Sequence, residues 1–501
     1  MTPLVTMSEI AARRYRFAPL HRAGLFGAIA PTLLVTLAIG VLAGWVAVIS
    51  GAPAPVAVAP LGLTGFVAFG RVGGRPIHEL IPRAVGWGVV RGRRRNRWHR
   101  AVPLTGGATS ALPAALDGVQ LFDGDGRSGL GRPRTGGVVR DRHAGTVTAI
   151  VRVHGDGGFG LADPAIQDNR LDLWGLALAG FCREALPVVR VAWHDWTSPT
   201  GIGDHITDVR TRWDGERESA ARGSYLRLVE AVAPASVRHE VLVAVTVDLR
   251  KVGRKRKAAG LDIGLSTLLD ELRLFIGRLE HGGLACDPAL SAAEISTATR
   301  VRSDPASLAK LTTLRRSLAS AASQAAPDFE PMAIAEDWNK IRVDGGVHRS
   351  WWVARWPRRE VPAGWLDQVL FGLPCTRTLT VVFEPISPSR SDRDIDRESV
   401  ARTTNADDKA RRGFRVKAAD RKAARDVEMR EAELNEGFGE LSYVGLLTIT
   451  VADPAALDAM AATVEQVAAQ SGVELLSLFG RQSHGWVASL PLGRTIARRL
   501  T

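Results

Sequence analysis

The sequence predicts a mixed α/β protein in which an N-terminal two-helix transmembrane hairpin precedes cytoplasmic βα units and a long charged helical segment. Residues 23–70 contain no charged side chain, whereas 24 of the 46 residues in 391–436 are charged. Between and beyond these stretches, strand-like and helix-like hydrophobic patterns alternate. The region after the hairpin holds about 400 residues, enough for two or three domains.

The uncharged stretch is too long for one membrane helix. Its 48 residues would form a helix about 72 Å long, more than twice the roughly 30 Å hydrocarbon core. A glycine and two prolines in 50–55 break it into a first span near 25–49 and a second near 56–70. Arginines lie on both outer flanks and none lies in the turn, so the positive-inside rule places both termini in the cytoplasm. We therefore expect a plasma-membrane protein with two spans.

Two alternatives remain open for this stretch. Arg13 and Arg14 precede the apolar run, and Ala52-Pro53-Ala54 offers small residues, as a cleaved secretion signal would. The second apolar run is short and contains Pro60, so a re-entrant or interfacial segment is also compatible with it.

A cluster of arginines follows the apolar stretch. Residues 1–100 contain thirteen arginines, no lysine and two acids, which accounts for +11 of the net charge of +13. The densest part is the basic run, which we define as Arg91, Arg93, Arg94, Arg95, Arg97 and Arg100. Such a run attracts anionic headgroups at about 1 kcal/mol per residue near a membrane surface. We expect a lipid-surface site here, with nucleic acid contacted only indirectly; direct DNA contact is the alternative.

The hydrophobic pattern divides the chain into six parts. We expect a tail, hairpin and basic juxtamembrane segment over 1–100, a linker over 101–140, a first α/β unit over 141–258, a second over 259–390, a charged helical arm over 391–436 and a closing β-α-β unit over 437–501. Strands are predicted over 146–153, 188–193, 240–248, 347–356, 377–384, 441–451 and 473–479, and helices over 163–184, 216–232, 261–279, 292–301, 306–325 and 454–469. A further helix through Trp365, Val369 and Phe371 is expected between the strands 347–356 and 377–384. The arm has too few apolar residues to bury a core face. It is either a solvated helix that bridges two parts of the fold or an arm that docks on another protein.

Motifs for nucleotide and metal chemistry are incomplete. Gly155, Gly157 and Gly160 satisfy G-x-G-x-x-G, but Asp163-Pro164 starts the next helix too late for a dinucleotide loop. We interpret Asp163 as an N-cap and Pro164 as the first helical residue. The chain contains no Gly-Lys dipeptide, so no Walker loop is expected.

Signatures of hydrolytic chemistry are equally incomplete. His239-Glu240 resembles the start of a zinc-protease motif, but Val243 occupies the second histidine position, and no Gly-x-Ser-x-Gly occurs. His194-Asp195 could act as an acid–base pair, but a hydrogen-bonded histidine at a strand end fits the pattern better. Three widely spaced cysteines predict neither a zinc site nor disulfides. We expect no catalytic residue, cofactor or metal.

Short stretches spread through the chain resemble one known family. They are 70–76 (GRVGGRP), 161–168, 238–243 (RHEVLV), 336–338 (EDW) and 490–493 (LPLG). Together they resemble a family of actinobacterial membrane proteins associated with type IV secretion and conjugation. The resemblance implies a hairpin similar to the small inner-membrane subunit of these systems, and a soluble part similar to the N-terminal, non-ATPase half of the assembly ATPase.

What the resemblance implies is a structural role. The partners would be a separate cytoplasmic secretion ATPase and other inner-membrane channel subunits, within a hetero-oligomer, and no catalytic residue carries over. A membrane component of a type VII (ESX) secretion system would share the outline of two spans followed by a cytoplasmic α/β region. A membrane-tethered enzyme such as a glycosyltransferase would need an acidic metal motif at a strand end, for which Asp195, Asp204 and Asp208 are poor candidates.

Overall fold

The fold is mixed α/β, as predicted. The computed structural model describes residues 31–100, 112–127, 133–155, 158–199, 205–206, 209, 211, 219–232, 237–252, 260–307, 329–411, 425, 427–432, 434 and 439–496. The helices are α1 (Pro31–Ile49), α2 (Ala54–Phe69), α3 (Ile77–Gly92), α4 (Pro164–Ala179), α5 (Ala220–Val232), α6 (Gly260–His281), α7 (Ala292–Ser303), α8 (Pro388–Arg411), α9 (Leu457–Gln470) and α10 (Gln482–Ser489). Shorter helical turns span Phe159–Leu161, Leu249–Val252 and Asp367–Leu370.

One antiparallel sheet runs through the part of the chain that follows the hairpin. The strands are β1 (Arg71–Val72), β2 (Arg75–Pro76), β3 (Arg97–His99), β4 (Val119–Arg127), β5 (Pro133–Asp141), β6 (Thr146–His154), β7 (Val188–Pro199), β8 (Val237–Asp248), β9 (Ala285–Cys286), β10 (Ala333–Glu336), β11 (Ile341–Val343), β12 (Gly346–Arg355), β13 (Thr376–Pro385), β14 (Leu441–Val451) and β15 (Glu474–Ser477). Their order is β3-β10-β11-β12-β14-β13-β7-β8-β6-β5-β4, with β15 beside β12 and β9 beside β6. Only β1 and β2 form a separate ladder among these strands. The two predicted α/β units therefore share one sheet.

Helices cover both faces of this sheet. On one face α4 and α6 pack on alternate residues of the central strands, such as Val147 and Val243, and α9 packs on the β12-β14 half. On the other face α7 and α10 pack on the intervening residues, such as Ile150 and Leu242. Because successive side chains of a strand point to opposite faces, strands covered on both sides are almost continuously apolar. This explains why the central strands were recognisable in the sequence.

The two halves of the sheet repeat one arrangement. In the first half β6, β7 and β8 are followed by α6, β9 and α7; in the second, β12, β13 and β14 are followed by α9, β15 and α10. In each half the third strand lies between the first and the second, and β7 pairs with β13. In each half, a hydrogen bond between two hydroxyl groups, which we call the hydroxyl pair, joins the first strand to the third. The pairs are Thr148 with Thr246 and Ser350 with Thr448. Each hydrogen bond is 2.9 Å long, and the two residues of each pair are 98 positions apart in the sequence. The fold is therefore a tandem structural repeat joined edge to edge.

The structure corrects several predicted boundaries. The expected linker over 101–140 contains β4 and β5, which pair over nine residues and belong to the sheet. Their Gly-rich sequence hid them, because glycine disfavours strands in general. The strand predicted over 188–193 continues to Pro199, and the helix around 365–371 is only the turn Asp367–Leu370. The helix expected over 306–325 lies almost entirely outside the described residues.

The uncharged stretch forms two packed helices. A Cβ on Gly40 would overlap Thr64, and a Cβ on Gly44 would lie 3.2 Å from the carbonyl oxygen of Ala57, so α1 and α2 run antiparallel in close contact. The turn between them passes through Gly51, whose φ of +74° suits glycine. Residues 25–30 of the predicted first span lie outside the described residues. Within the described residues, no helix combines the length and the apolar character needed to cross a membrane.

Candidate functional site at the base of the hairpin

A tight turn joins the hairpin to the sheet. Gly73 and Gly74, between β1 and β2, have φ values of +56° and +76°, a backbone region that glycine adopts without strain. They also press against the far end of the chain: a Cβ on Gly73 would lie 2.9 Å from the ring of Phe479, and one on Gly74 would lie 2.9 Å from Leu476. The glycines in the 70–76 motif therefore permit a close contact between the hairpin base and the strand β15 region.

Helix α3 is fixed on two sides. At its start, the Ile77 amide donates to the carbonyl oxygen of Gly70 over 2.9 Å, and Nδ1 of buried His78 lies 3.1 Å from the carbonyl oxygen of Ala68. Further along, the Trp87 ring lies 6.4 Å from the ring of Trp338. Trp338 in turn stacks on Phe479 at 5.7 Å. The aromatic contacts hold α3 between the helical hairpin and the sheet.

The basic run falls into two parts. Arg91 lies in the last turn of α3, and Arg93, Arg94 and Arg95 follow the helix in an exposed turn in which Arg94 has a φ of +53°. Arg97, in contrast, belongs to the edge strand β3 and pairs with Ala335. We refer to the first part, Arg91 with Arg93, Arg94 and Arg95, as the arginine cluster.

The last residue of the run is part of the domain. The Arg100 amide donates to the carbonyl oxygen of Met332 over 2.8 Å, and its guanidinium lies 3.8 Å from the Glu330 carboxylate. Trp98, which lies between Arg97 and Arg100 in the chain, packs into the core beside α7 and α10. This anchoring strand, β3, was not predicted from the sequence. Its alternation of charged and aromatic residues was the available signal.

The surface of the hairpin is apolar almost throughout. Large apolar side chains that are more than half exposed are Val35, Ile39, Val41, Leu42, Trp45, Val46, Val48, Ile49, Val56, Val58, Leu63, Phe66 and Phe69. An apolar surface of this extent is far larger than single exposed side chains on a soluble domain, and it indicates a membrane or protein contact. In the chain, the arginine cluster lies between the end of α3 and the edge strand β3.

Within the sheet, charged side chains form a buried cluster. Arg302 of α7 is 3% exposed and lies 2.9 Å from Glu240 of β8, with its guanidinium 5.4 Å from the Trp196 ring. Arg152 of β6 also contacts Glu240 at 2.9 Å. Burial alone would raise the pKa of Glu240, but the two guanidinium groups lower it overall. The cluster thus joins α7 to the centre of the first half of the sheet.

The adjacent residues His194 and Asp195 do not form an acid–base pair. They lie on opposite faces of β7: His194 is buried with Nδ1 at 3.0 Å from the Thr380 hydroxyl, whereas Asp195 contacts His239 at 2.9 Å. His194 is a hydrogen-bonded strand histidine, as interpreted, but it lies within the strand rather than at its end. Burial lowers its pKa to about 3. Neutral imidazole is thus the form that the fold holds.

The remaining motif positions are structural where the structure describes them. Asp163 occupies the N-cap position of α4, although its side chain makes no capping hydrogen bond, and Pro164 is the first helical residue. The three cysteines form no disulfide, and Asp204 and Asp208 lie outside the described residues. In the described ranges, no group of three or more histidine, cysteine or acidic side chains is arranged to hold a metal ion. The chain matches no model of a protein family, and a search of curated proteins finds no match.

Proposed function

We propose that this protein is a membrane-anchored structural subunit of a type IV secretion or conjugal transfer apparatus, which docks a separate cytoplasmic ATPase and performs no catalysis itself. The observation that carries the proposal is the exposed apolar hairpin, which the β1–β2 turn and α3 hold against a large sheet domain. An anchor joined in this way transmits the position of the membrane to the domain. This is what a scaffold between a membrane channel and a cytoplasmic motor requires.

The charged arm supports a docking role. Its root is held in the fold more firmly than its composition indicated: Ile395 and Val427 are buried, and Arg430 lies 3.4 Å from Glu398 and 2.5 Å from Glu440. Beyond the root, Val400 of α8 is exposed. The arm interrupts the connection between β13 and β14, which pair directly with each other. The two strands that flank the arm are therefore held together by their own pairing.

A deletion separates residues 401–426 from the root of the arm. Residues 401–426 are replaced by a Gly/Ser linker of about ten residues, which reaches roughly 17 Å and leaves Ile395, Val427 and Arg430 in place. We expect the variant to unfold at the same urea concentration as the unaltered chain, because long surface loops contribute little to stability. It should lose co-purification with a cytoplasmic secretion ATPase of the same host. Retained co-purification would place the ATPase contact elsewhere.

The transported cargo decides between this proposal and its alternative. In a host that carries the gene, its deletion should abolish conjugal DNA transfer or type IV protein export, and the full chain supplied in trans should restore it. Loss of secretion of small WxG-type proteins, with transfer intact, would favour the type VII membrane component. Unchanged transfer and secretion would count against both.

A further inference from the structure

The helix between the hairpin and the sheet has two different sides. Trp87 faces the domain and contacts Trp338. On the opposite side, Ile81, Val85 and Val89 are 43%, 63% and 49% exposed. Their spacing of four residues aligns them along one face of the helix. We call these three residues the α3 stripe.

From this arrangement we infer that α3 is an in-plane membrane helix, which lies at the lipid surface and inserts the α3 stripe at the boundary of headgroups and acyl chains. The inference rests on the proposed membrane insertion of the hairpin. It goes further, because it makes the domain itself a lipid-contacting body rather than one tethered through a flexible link.

Continuity with the hairpin favours lipid as the occupant. The antiparallel packing of α1 and α2 puts the start of α1 beside the end of α2, and α3 begins at that end through the contacts of Ile77 and His78. The α3 stripe therefore starts about one turn into α3, next to the end of the hairpin. A bilayer that accepts the hairpin thus lies close to the stripe.

Charge complementarity agrees with a lipid surface. The exposed arginine cluster immediately follows the α3 stripe in the chain. Amphipathic helices at membrane surfaces bury an apolar face to a depth of about 5–10 Å and carry arginine or lysine at headgroup level. Sixteen residues give α3 a length of about 24 Å, enough to spread these contacts over several lipids.

A depth measurement on the full chain tests the inference. A single cysteine replaces Val85, or Val89 in a second variant, and carries an environment-sensitive fluorophore in proteoliposomes that contain brominated lipids. Burial raises the pKa of the native thiols of Cys182, Cys286 and Cys375 to about 11, so they react slowly at neutral pH, and the labelled unaltered chain gives the background. The controls are Ile39→Cys in α1 and Leu228→Cys on the exposed side of α5.

We expect lipids brominated near the headgroup to quench the label at Val85 at least threefold more than the label at Leu228. Lipids brominated near the end of the acyl chain should quench the label at Ile39 more than the labels at the other positions. Quenching at Ile39 without quenching at Val85 overturns the in-plane helix and leaves the proposed anchor intact. Absence of quenching at both positions overturns the anchor itself. A label at Val85 that reports an apolar environment yet resists every brominated lipid would mean that a second copy of the chain covers the α3 stripe, which also overturns the inference.

Discussion

At the residue scale, the buried charge cluster makes Glu240 indispensable for stability. Arg302 has almost no access to water. Without Glu240, its positive charge would be buried without the carboxylate that now contacts it at 2.9 Å. We expect Glu240→Gln to lower the free energy of unfolding by about 3 kcal/mol, measured by urea unfolding followed through tryptophan fluorescence in detergent. The control is Glu474→Gln, which removes an exposed pair with Arg355 and should cost less than about 1 kcal/mol. Equal costs would show that the cluster is solvated.

The buried histidines predict an acid-sensitive fold. Burial lowers the pKa of His348 to about 4, although the Ser303 carbonyl oxygen, 2.9 Å from Nε2, opposes this shift. An unfolded histidine binds a proton near pH 6.5, whereas folded His348 does not do so until about pH 4. The unfolded state therefore binds more protons between these values, and stability is lost as the pH falls. We expect His348→Gln to reduce this slope by about 1 kcal/mol per pH unit between pH 6 and pH 4.5, measured from urea unfolding at each pH. Identical slopes would contradict a neutral buried imidazole.

At the element scale, central strands were predictable and edge strands were not. Strand β14 has the bounds expected from its apolar run, because both of its faces are covered. Strands β3 and β4 lie near the sheet edges and carry arginine, aspartate and glycine, so their local pattern resembles a turn. Their pairing partners supply the stability that their own sequence does not indicate. The basic run was found in the sequence by charge, but its division between a turn and an edge strand depends on contacts with residues more than 200 positions away.

The helical hairpin predicts a contrast between two glycines. A side chain at Gly40 would collide with Thr64 on the facing helix, whereas a Cβ on Gly62 would meet no atom within 4 Å. We expect Gly40→Leu to force α1 and α2 apart and to lower the free energy of unfolding by about 2 kcal/mol, as overpacking does in well-packed contacts. Gly62→Leu should be neutral or slightly stabilising, since leucine is the better helix former. Thermal unfolding of both variants in the same detergent measures the contrast, and equal melting temperatures would argue against the packed hairpin.

At the scale of the whole molecule, the tandem repeat explains an arrangement that the linear pattern concealed. The charged arm is a helical insertion within the sheet, because β13 and β14 pair on either side of it. The connection between β7 and β8, which includes α5, occupies the equivalent place in the first half. The two halves share few identical residues at equivalent positions. The repeat is therefore not evident in the sequence and is recognised from the order of the strands in the sheet. Its conserved feature is the hydroxyl pair, Thr148 with Thr246 and Ser350 with Thr448.

The continuous sheet makes a strong prediction about topology. Strand β3 begins five residues after α3 ends, and β15 pairs close to the opposite end of the sequence, so one rigid sheet holds residues from Arg97 to Ser477. All of it must lie on the same side of a membrane, because a bilayer cannot cut through a paired sheet. A reporter fused after Thr501 therefore reports the side of the entire domain. We expect this fusion to be active only inside the cell and a reporter inserted at Pro53 to be active only outside. An externally active fusion after Thr501 would eliminate the two-span hairpin and favour a single signal-anchor span instead.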